Sequence, residues 1–361
     1  MSETEEVLFE QRGAVGFVTL NRPKFLNALT LTMIRAIDST LTAWDGDDSV
    51  AAVVIRGAGD RAFCAGGDVR AVWEAGRAAK AEGRTGEGLT ADFFREEYVL
   101  NRRVHRFSKP YIALVDGYTM GGGVGLSVHG AFRVATERTQ VAMPETAIGL
   151  FPDVGGSYFL PKLKGRIGTY LALTGARIRT EDCLYSGIAT AYVESSDLAD
   201  LEMALVQADW SAASAQKTAE DVVAGFSRAP GEAPLAARQE QIDRIFSGET
   251  MEDIVAALEA ETGDWAAETL ATLAGRSPTS LKVALEQMRR GAELDFDEAM
   301  IMEYRMSQAF MAGEDFYEGI RAVLVDRDHA PGWNPATLAE VSAERVVGYF
   351  ESLGARDLSF A

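Results

Sequence analysis

Two runs of apolar, largely β-branched residues, Val50–Arg56 and Tyr111–Val115, constrain this chain most, because neither face of either run carries a regular set of polar side chains. Strands of that kind are buried on both sides and belong in parallel sheets covered by helices. The first run leads to the pair Gly66-Gly67 and the second to Gly121–Gly123. Around them strands and helices alternate. Val7–Gln11, Val15–Leu20, Phe132–Ala135 and Thr139–Ala142 read as further strands. Thr30–Trp44 carries apolar residues at helical spacing (Leu31, Ile34, Ile37, Leu41, Trp44), with Thr30 as its N-cap. Val69–Ala79, Ala91–Phe107 and Val124–His129 read as helices too. Alternation through about residue 195 predicts an α/β architecture.

Beyond that point the pattern changes. Leu198–Ala274 is rich in Ala, Glu and Asp and has almost no strand signal, and Ser280–Gly291, Asp295–Ala312 and Asp315–Val325 have helical spacing. The chain therefore divides, on sequence, into residues 1–195 as the α/β core and 196–361 as a mostly α-helical region expected to cover the core and active site. Gly83–Gly88 reads as a loop and Ala229–Pro234 as a linker. The methionines Met300, Met302, Met306 and Met311 read as helix packing.

With 54 acidic and 35 basic residues the net charge is −19, which argues against a nucleic-acid surface while allowing a small basic pocket. Two cysteines are too few for a disulfide framework, and the three histidines have no metal-ligand spacing, so no metal site is expected. No window approaches 18 uninterrupted apolar residues, so no membrane span is expected. The acidic opening MSETEEVLFE reads as neither a secretory signal nor an Arg-rich transit peptide, and a cytoplasmic location is the expectation.

Adjacent glycines at a helix start leave backbone N–H groups accessible and aligned with the positive end of the helix dipole. If the strands before them are neighbours, Gly66-Gly67 and Gly121–Gly123 converge beyond the sheet, and one N–H from each can stabilise an oxygen that gains negative charge. Two unrelated glycine turns are the alternative. Glu145 and Asp153 follow in Met143–Asp153, a run broken by Pro144 and Pro152, among apolar residues that would raise a carboxyl pKa towards a working range. Helix caps or salt-bridged surface acids are the alternative there. Glu97 lies among aromatics in Phe93–Tyr98, as part of a buried face or as a solvated glutamate. Arg22 and Lys24 sit on a loop after a strand, where cations can meet a phosphate-bearing ligand or simply solvent.

Taken together, Asn21-Arg-Pro, FCAGGD, KPYIALVDGYTMGGGVGLS and MPETAIGLFPDVGG resemble the crotonase (enoyl-CoA hydratase/isomerase) superfamily in order and spacing. The resemblance implies a spiral of ββα units, an acyl-CoA thioester substrate and an oxyanion hole formed by the N–H groups of Gly67 and Gly122. It places the Arg22–Ala28 region with Ala65 and Gly66 along the CoA path. Hydratases of the superfamily use two glutamates; this chain has Glu145 at the second and Gly125 at the first, with Asp153 where many have glycine. That pattern, continued in Ser277–Lys282, Met302–Arg305 with Ser307, and Phe316–Leu324, resembles the branch that hydrolyses short 3-hydroxyacyl-CoA thioesters in valine breakdown. The resemblance implies Glu145 and Asp153 as catalytic residues and Glu97, Gly122, Glu145 and Asp153 as substrate contacts. CoA would be part of the substrate, with no separate cofactor. Hydration or isomerisation on the same fold, and silent RNA binding, are the rival readings. Superfamily members often form trimers or hexamers, so a homo-oligomer stands beside a helical half that covers the site within one chain.

Overall fold

A computed structural model describes residues 5–84 and 86–360. Residues 1–4 of the acidic opening and Thr85 of the 83–88 loop lie outside the described residues. The chain divides into two compact units built from interleaved segments. One comprises Met1–Gly67, Val99–Ala142 and Arg177–Ala236; the other comprises Asp68–Tyr98, Met143–Ala176 and Ala237–Ala361. The change of composition near residue 195 marks where strands give way to helices, and it is not where the compact units part. The physical reason is chain path: neighbouring strand and helix segments contribute to different units, which local composition does not record.

Among the described residues the first unit holds ten strands: β1 (Val7–Arg12), β2 (Val15–Leu20), β3 (Ala52–Gly57), β4 (Ala62–Cys64), β5 (Tyr111–Val115), β6 (Tyr118–Met120), β7 (Phe132–Ala135), β8 (Gln140–Ala142), β9 (Ile178–Arg179) and β10 (Ala191–Tyr192). They form a six-stranded sheet in the order β1-β2-β3-β5-β7-β10 and a four-stranded sheet in the order β4-β6-β8-β9. From β2 to β10 the larger sheet is parallel, as the apolar runs require. β1 closes one edge antiparallel. In chain order β3-β4, β5-β6 and β7-β8 repeat one pattern, a strand in the large sheet and then a short strand in the small one, each pair followed by a helical segment.

Side chains alternate across a strand with period two. Val15 and Phe17, Val54, Ile112 and Leu114, Phe132 and Val134, and Ala191 therefore share one face of the large sheet, against Leu201, Leu205, Ala219 and Val223 of the Leu198–Gln207 and Ala215–Phe226 helices. Full burial of each large aliphatic side chain there is worth about 1.5–3 kcal/mol. The Leu31–Asp45 helix buries Met33, Ile34, Ile37 and Leu41, and its predicted cap is present: the Thr30 side chain accepts the Met33 N–H at 3.1 Å.

The second unit is mainly helical. Its Pro278–Gly291 helix starts from the Ser277 cap, which accepts the Ser280 N–H at 3.0 Å. The Phe296–Ala312 helix starts from a reciprocal capping box, Asp295 with Glu298. The four methionines of that region are buried, as packing residues should be. Phe310 stacks on Phe151 with ring centroids 5.6 Å apart.

Candidate active site

In the first unit the glycine turns are built by the short strands that precede them. β4 pairs parallel with β6, so Gly66-Gly67 and Gly121–Gly123 leave the small sheet at the same end. A Cβ on Gly66 would lie 3.9 Å from the Gly122 nitrogen, which measures how closely the turns approach. A Cβ on Gly123 would lie 2.1 Å from the Cys64 carbonyl oxygen, so only glycine fits there. The helix runs Gly122–Val128, starting two residues before its predicted bound, because the glycines themselves form its first turn. The Gly122 N–H is one of the opening donors that a helix leaves without an intrahelical acceptor. Gly67 pairs with Leu29 as an isolated parallel bridge in which the Leu29 N–H donates to the Gly66 oxygen at 2.8 Å, leaving the Gly67 N–H outside that bond.

Beside this turn the 21–28 loop is held by Asn27, buried and at φ +57°. Its side-chain amide donates to the carbonyls of Ala58 and Ala62 at 3.0 and 2.9 Å and accepts the Arg22 N–H at 3.0 Å. Arg22 is drawn into the protein: it donates to the Ala28 carbonyl at 2.6 Å and pairs with Glu6 at 3.1 Å. Lys24 and Phe25 are exposed, and the Ala65 N–H bonds to the Leu26 carbonyl at 3.0 Å. Of the two cations singled out on this loop, Lys24 is therefore the one presented outward.

In the second unit Glu97, Glu145, Asp153 and Glu303 are buried carboxylates. Pro144 ends the preceding strand segment and opens the turn Glu145–Ile148, which Gly149 closes at φ +67°. Thr146 Oγ1 donates to the Leu173 carbonyl at 3.1 Å, and the Thr146 carbonyl accepts the Ser277 N–H at 3.2 Å, so the Glu145 turn is anchored on both sides. Tyr98 donates its hydroxyl to Asp153 Oδ2 at 3.3 Å. Phe93, Phe94 and Tyr98 are buried with Glu97, so the solvated alternative for that glutamate does not hold. Nor are Glu145 and Asp153 surface acids.

Burial pushes all four of these carboxyl groups above their ordinary range. Asp153 is pushed up to about 7 by burial, against the Tyr98 hydrogen bond that favours its charged form. Glu145 and Glu97 rise well above the usual carboxylate range, first from burial and then from the charge of Asp153. One oxygen of each, Glu145 Oε2 and Glu97 Oε1, is buried with no hydrogen-bond partner among the described residues. Buried carboxyl groups held above their ordinary range are candidates for proton exchange with a substrate or water. No group of three or more His, Cys, Asp or Glu among the described residues is arranged to hold a metal ion.

Two members of this cluster, Tyr98 and Glu303, were not singled out from the sequence. Glu303 had a readable signal. It lies three or four residues from Ala299, Met300, Met306 and Ser307, all fully buried, so it is a carboxylate on the apolar stripe of a helix.

The chain belongs to the enoyl-CoA hydratase/isomerase family, whose sequence pattern matches residues 15–350. Its fold is crotonase-like α/β. It is similar to proteins named 3-hydroxyisobutyryl-CoA hydrolase, mitochondrial: 51% identical to that of Danio rerio over 98% of this chain and 91% of the relative, and 48% identical to that of Homo sapiens over 99% and 91%. Among solved structures it is similar to a carnitinyl-CoA dehydratase from Mycobacterium thermoresistibile, with TM-score 0.90, 40% identity and 99% of both chains covered. It is also similar to an enoyl-CoA hydratase from Rhodobacter sphaeroides, with TM-score 0.89, 39% identity, and 99% of this chain and 100% of the other covered. The hydrolases' names place those relatives in mitochondria, which overturns the cytoplasmic expectation. Composition and a low cysteine count report a reducing compartment, and they do not separate the cytoplasm from the mitochondrial interior.

Proposed function

We propose that the chain hydrolyses the thioester of 3-hydroxyisobutyryl-CoA, releasing 3-hydroxyisobutyrate and free CoA. One observation carries this reading beyond the family: Gly125 lies buried within the Gly122–Val128 helix, at the position where hydratases of the superfamily carry the first of two glutamates, while Glu145 is kept. Without the first acid–base group, addition of water across a double bond loses half of its machinery. Hydrolysis needs one base and a stabilised oxyanion. The relatives' names support the same reading.

In the proposed reaction the thioester oxygen accepts hydrogen bonds from the Gly67 and Gly122 N–H groups, and these strengthen as the carbonyl becomes tetrahedral. Glu145 takes a proton from water as the water oxygen attacks the carbonyl carbon. The carbon–sulfur bond then breaks, and the proton passes to the departing thiolate. Direct attack by Glu145, giving a transient anhydride, differs in one observable: a single turnover in ¹⁸O-water would leave label in the Glu145 carboxylate. Asp153 binds the substrate 3-hydroxyl and Glu97 orients the acyl group. Pairing a buried carboxyl with that hydroxyl selects against acyl chains that lack it. Lys24 is the cation we assign to the CoA phosphates. The reading requires no cofactor beyond the CoA of the substrate.

A thiol reagent reports the reaction directly. CoA release from 3-hydroxyisobutyryl-CoA should fall by roughly 10²–10⁴-fold in Glu145→Gln with folding intact, and retained activity would sink the assignment. The rival hydratase reading draws on the names of the two solved structures. Loss of crotonyl-CoA absorbance without thiol release would favour it.

A further inference from the structure

Glu303 takes no part in the chemistry proposed above, yet it is fully buried and uses both carboxylate oxygens. Oε2 accepts the Gly155 N–H at 2.8 Å and Oε1 accepts the Ser157 N–H at 2.7 Å. Both donors lie immediately after Asp153. Gln287, from the Pro278–Gly291 helix, donates to the Pro152 carbonyl at 2.6 Å and to Ser157 Oγ at 2.8 Å. The 152–157 segment is thus gripped from two helices. Between the grips Val154 stands at φ +51° and Gly155 at φ +88°. A left-handed backbone is costly for a β-branched residue and persists only where its surroundings over-determine it.

We propose that Glu303 is a positioning residue for the thioester hydrolysis, clamping the 152–157 turn in the conformation that presents the Asp153 carboxyl beside Tyr98. This rests on the hydrolase reading. An amide cannot substitute for the carboxylate: glutamine offers one acceptor oxygen, and its NH₂ would face a second N–H donor. Burial raises Glu303 itself to about 8, with a smaller push from Asp153, and where Glu303 is ionised its charge adds to the burial that raises Glu97, Tyr98 and Glu145. Removing that charge lowers the pKa of Glu145. A base works when ionised, so the ascending limb of activity should move to lower pH.

The test is steady-state CoA release from 3-hydroxyisobutyryl-CoA across pH by the full chain, with thermal unfolding measured alongside. Glu303→Gln should lose about a hundredfold in kcat/KM, shared between a lower kcat and a raised KM because Asp153 holds the substrate 3-hydroxyl, with the ascending limb moved to lower pH. Glu303→Asp keeps the charge but is too short to reach both donors, so kcat/KM should be intermediate and the limb unmoved. Wild-type kcat/KM and limb in Glu303→Gln overturn the proposal, as does a loss that matches the unfolded fraction with the limb in place. If Glu303→Gln does not fold, Glu303→Asp decides: a reduced kcat/KM at full folding supports the clamp, and an unchanged kcat/KM overturns it. A wild-type chain that releases no CoA overturns the hydrolase reading and this assignment with it. Hydrolysis by the wild type beside an unimpaired Glu303→Gln overturns this assignment alone.

Discussion

Asp153 shows at the scale of one residue how the role proposed for it opposes stability. Its carboxyl is pushed up to about 7 from an ordinary 3.8, so the folded state holds the proton more tightly than the unfolded chain does. Between those values stability is lost as pH rises, the reverse of a salt-bridged aspartate. Asp153→Asn removes the group that must ionise and leaves an oxygen to accept from Tyr98. Urea unfolding should find the variant more stable by up to about 4 kcal/mol at pH 8 and by much less at pH 5. CoA release should fall sharply at both. A variant less stable than wild type at pH 8 would contradict this account. Val154 and Glu303 belong to the same balance: a left-handed turn and a buried carboxyl group hold the segment that carries Asp153.

At the scale of elements, the long apolar strands and the helices were legible because each repeats its pattern over many residues. Thr30 as the cap of the Leu31–Asp45 helix follows from local chemistry and is present, whereas the helix read from Ser280 starts at Pro278 behind a Ser277 cap. The strands β4 and β6, three residues each, are too short to show a period, and yet they bring the two glycine turns together. The Glu145 turn depends on a comparable close approach. A Cβ on Gly149 would lie 2.2 Å from the Asp315 carbonyl oxygen, and the residue has φ +67°. Gly149→Ala should therefore cost about 1–3 kcal/mol or more through overpacking, with left-handed strain added. Denaturant midpoints would check the first effect, and a drop in kcat at full folding would show that the Glu145 turn has shifted. An unchanged midpoint would mean that the turn yields without cost.

At the scale of the whole molecule, two electrostatic facts combine. The chain carries a net charge of −19, and it buries Glu97, Glu145, Asp153, Asp182, Glu303 and Asp315, whose pKa values are all raised by burial. Both make folding less favourable as pH rises, because like surface charges repel and the buried groups are pressed to ionise. Calorimetry should find a lower Tm at pH 8 than at pH 5.5. Added salt should recover part of the difference, since it screens the surface charges much more than the buried ones. A Tm that rises across this range would show that paired surface acids dominate instead. The interleaving of the two compact units belongs to this scale as well: the composition change near residue 195 divides strand-rich from helix-rich sequence, whereas the units are assembled from segments far apart in the chain.

By itself the sequence determined the family, the α/β alternation, the two glycine turns and the contrast of Gly125 with Glu145, because these are local patterns of residue type and spacing. The tertiary structure alone decided which carboxylates are buried together and what holds them. Tyr98 meets Asp153 across 55 residues of sequence, and Glu303 meets Gly155 across 148. A raised carboxyl pKa depends on lost water and on the charges that surround it. Neighbours in sequence supply few of those, and the folded chain supplies nearly all.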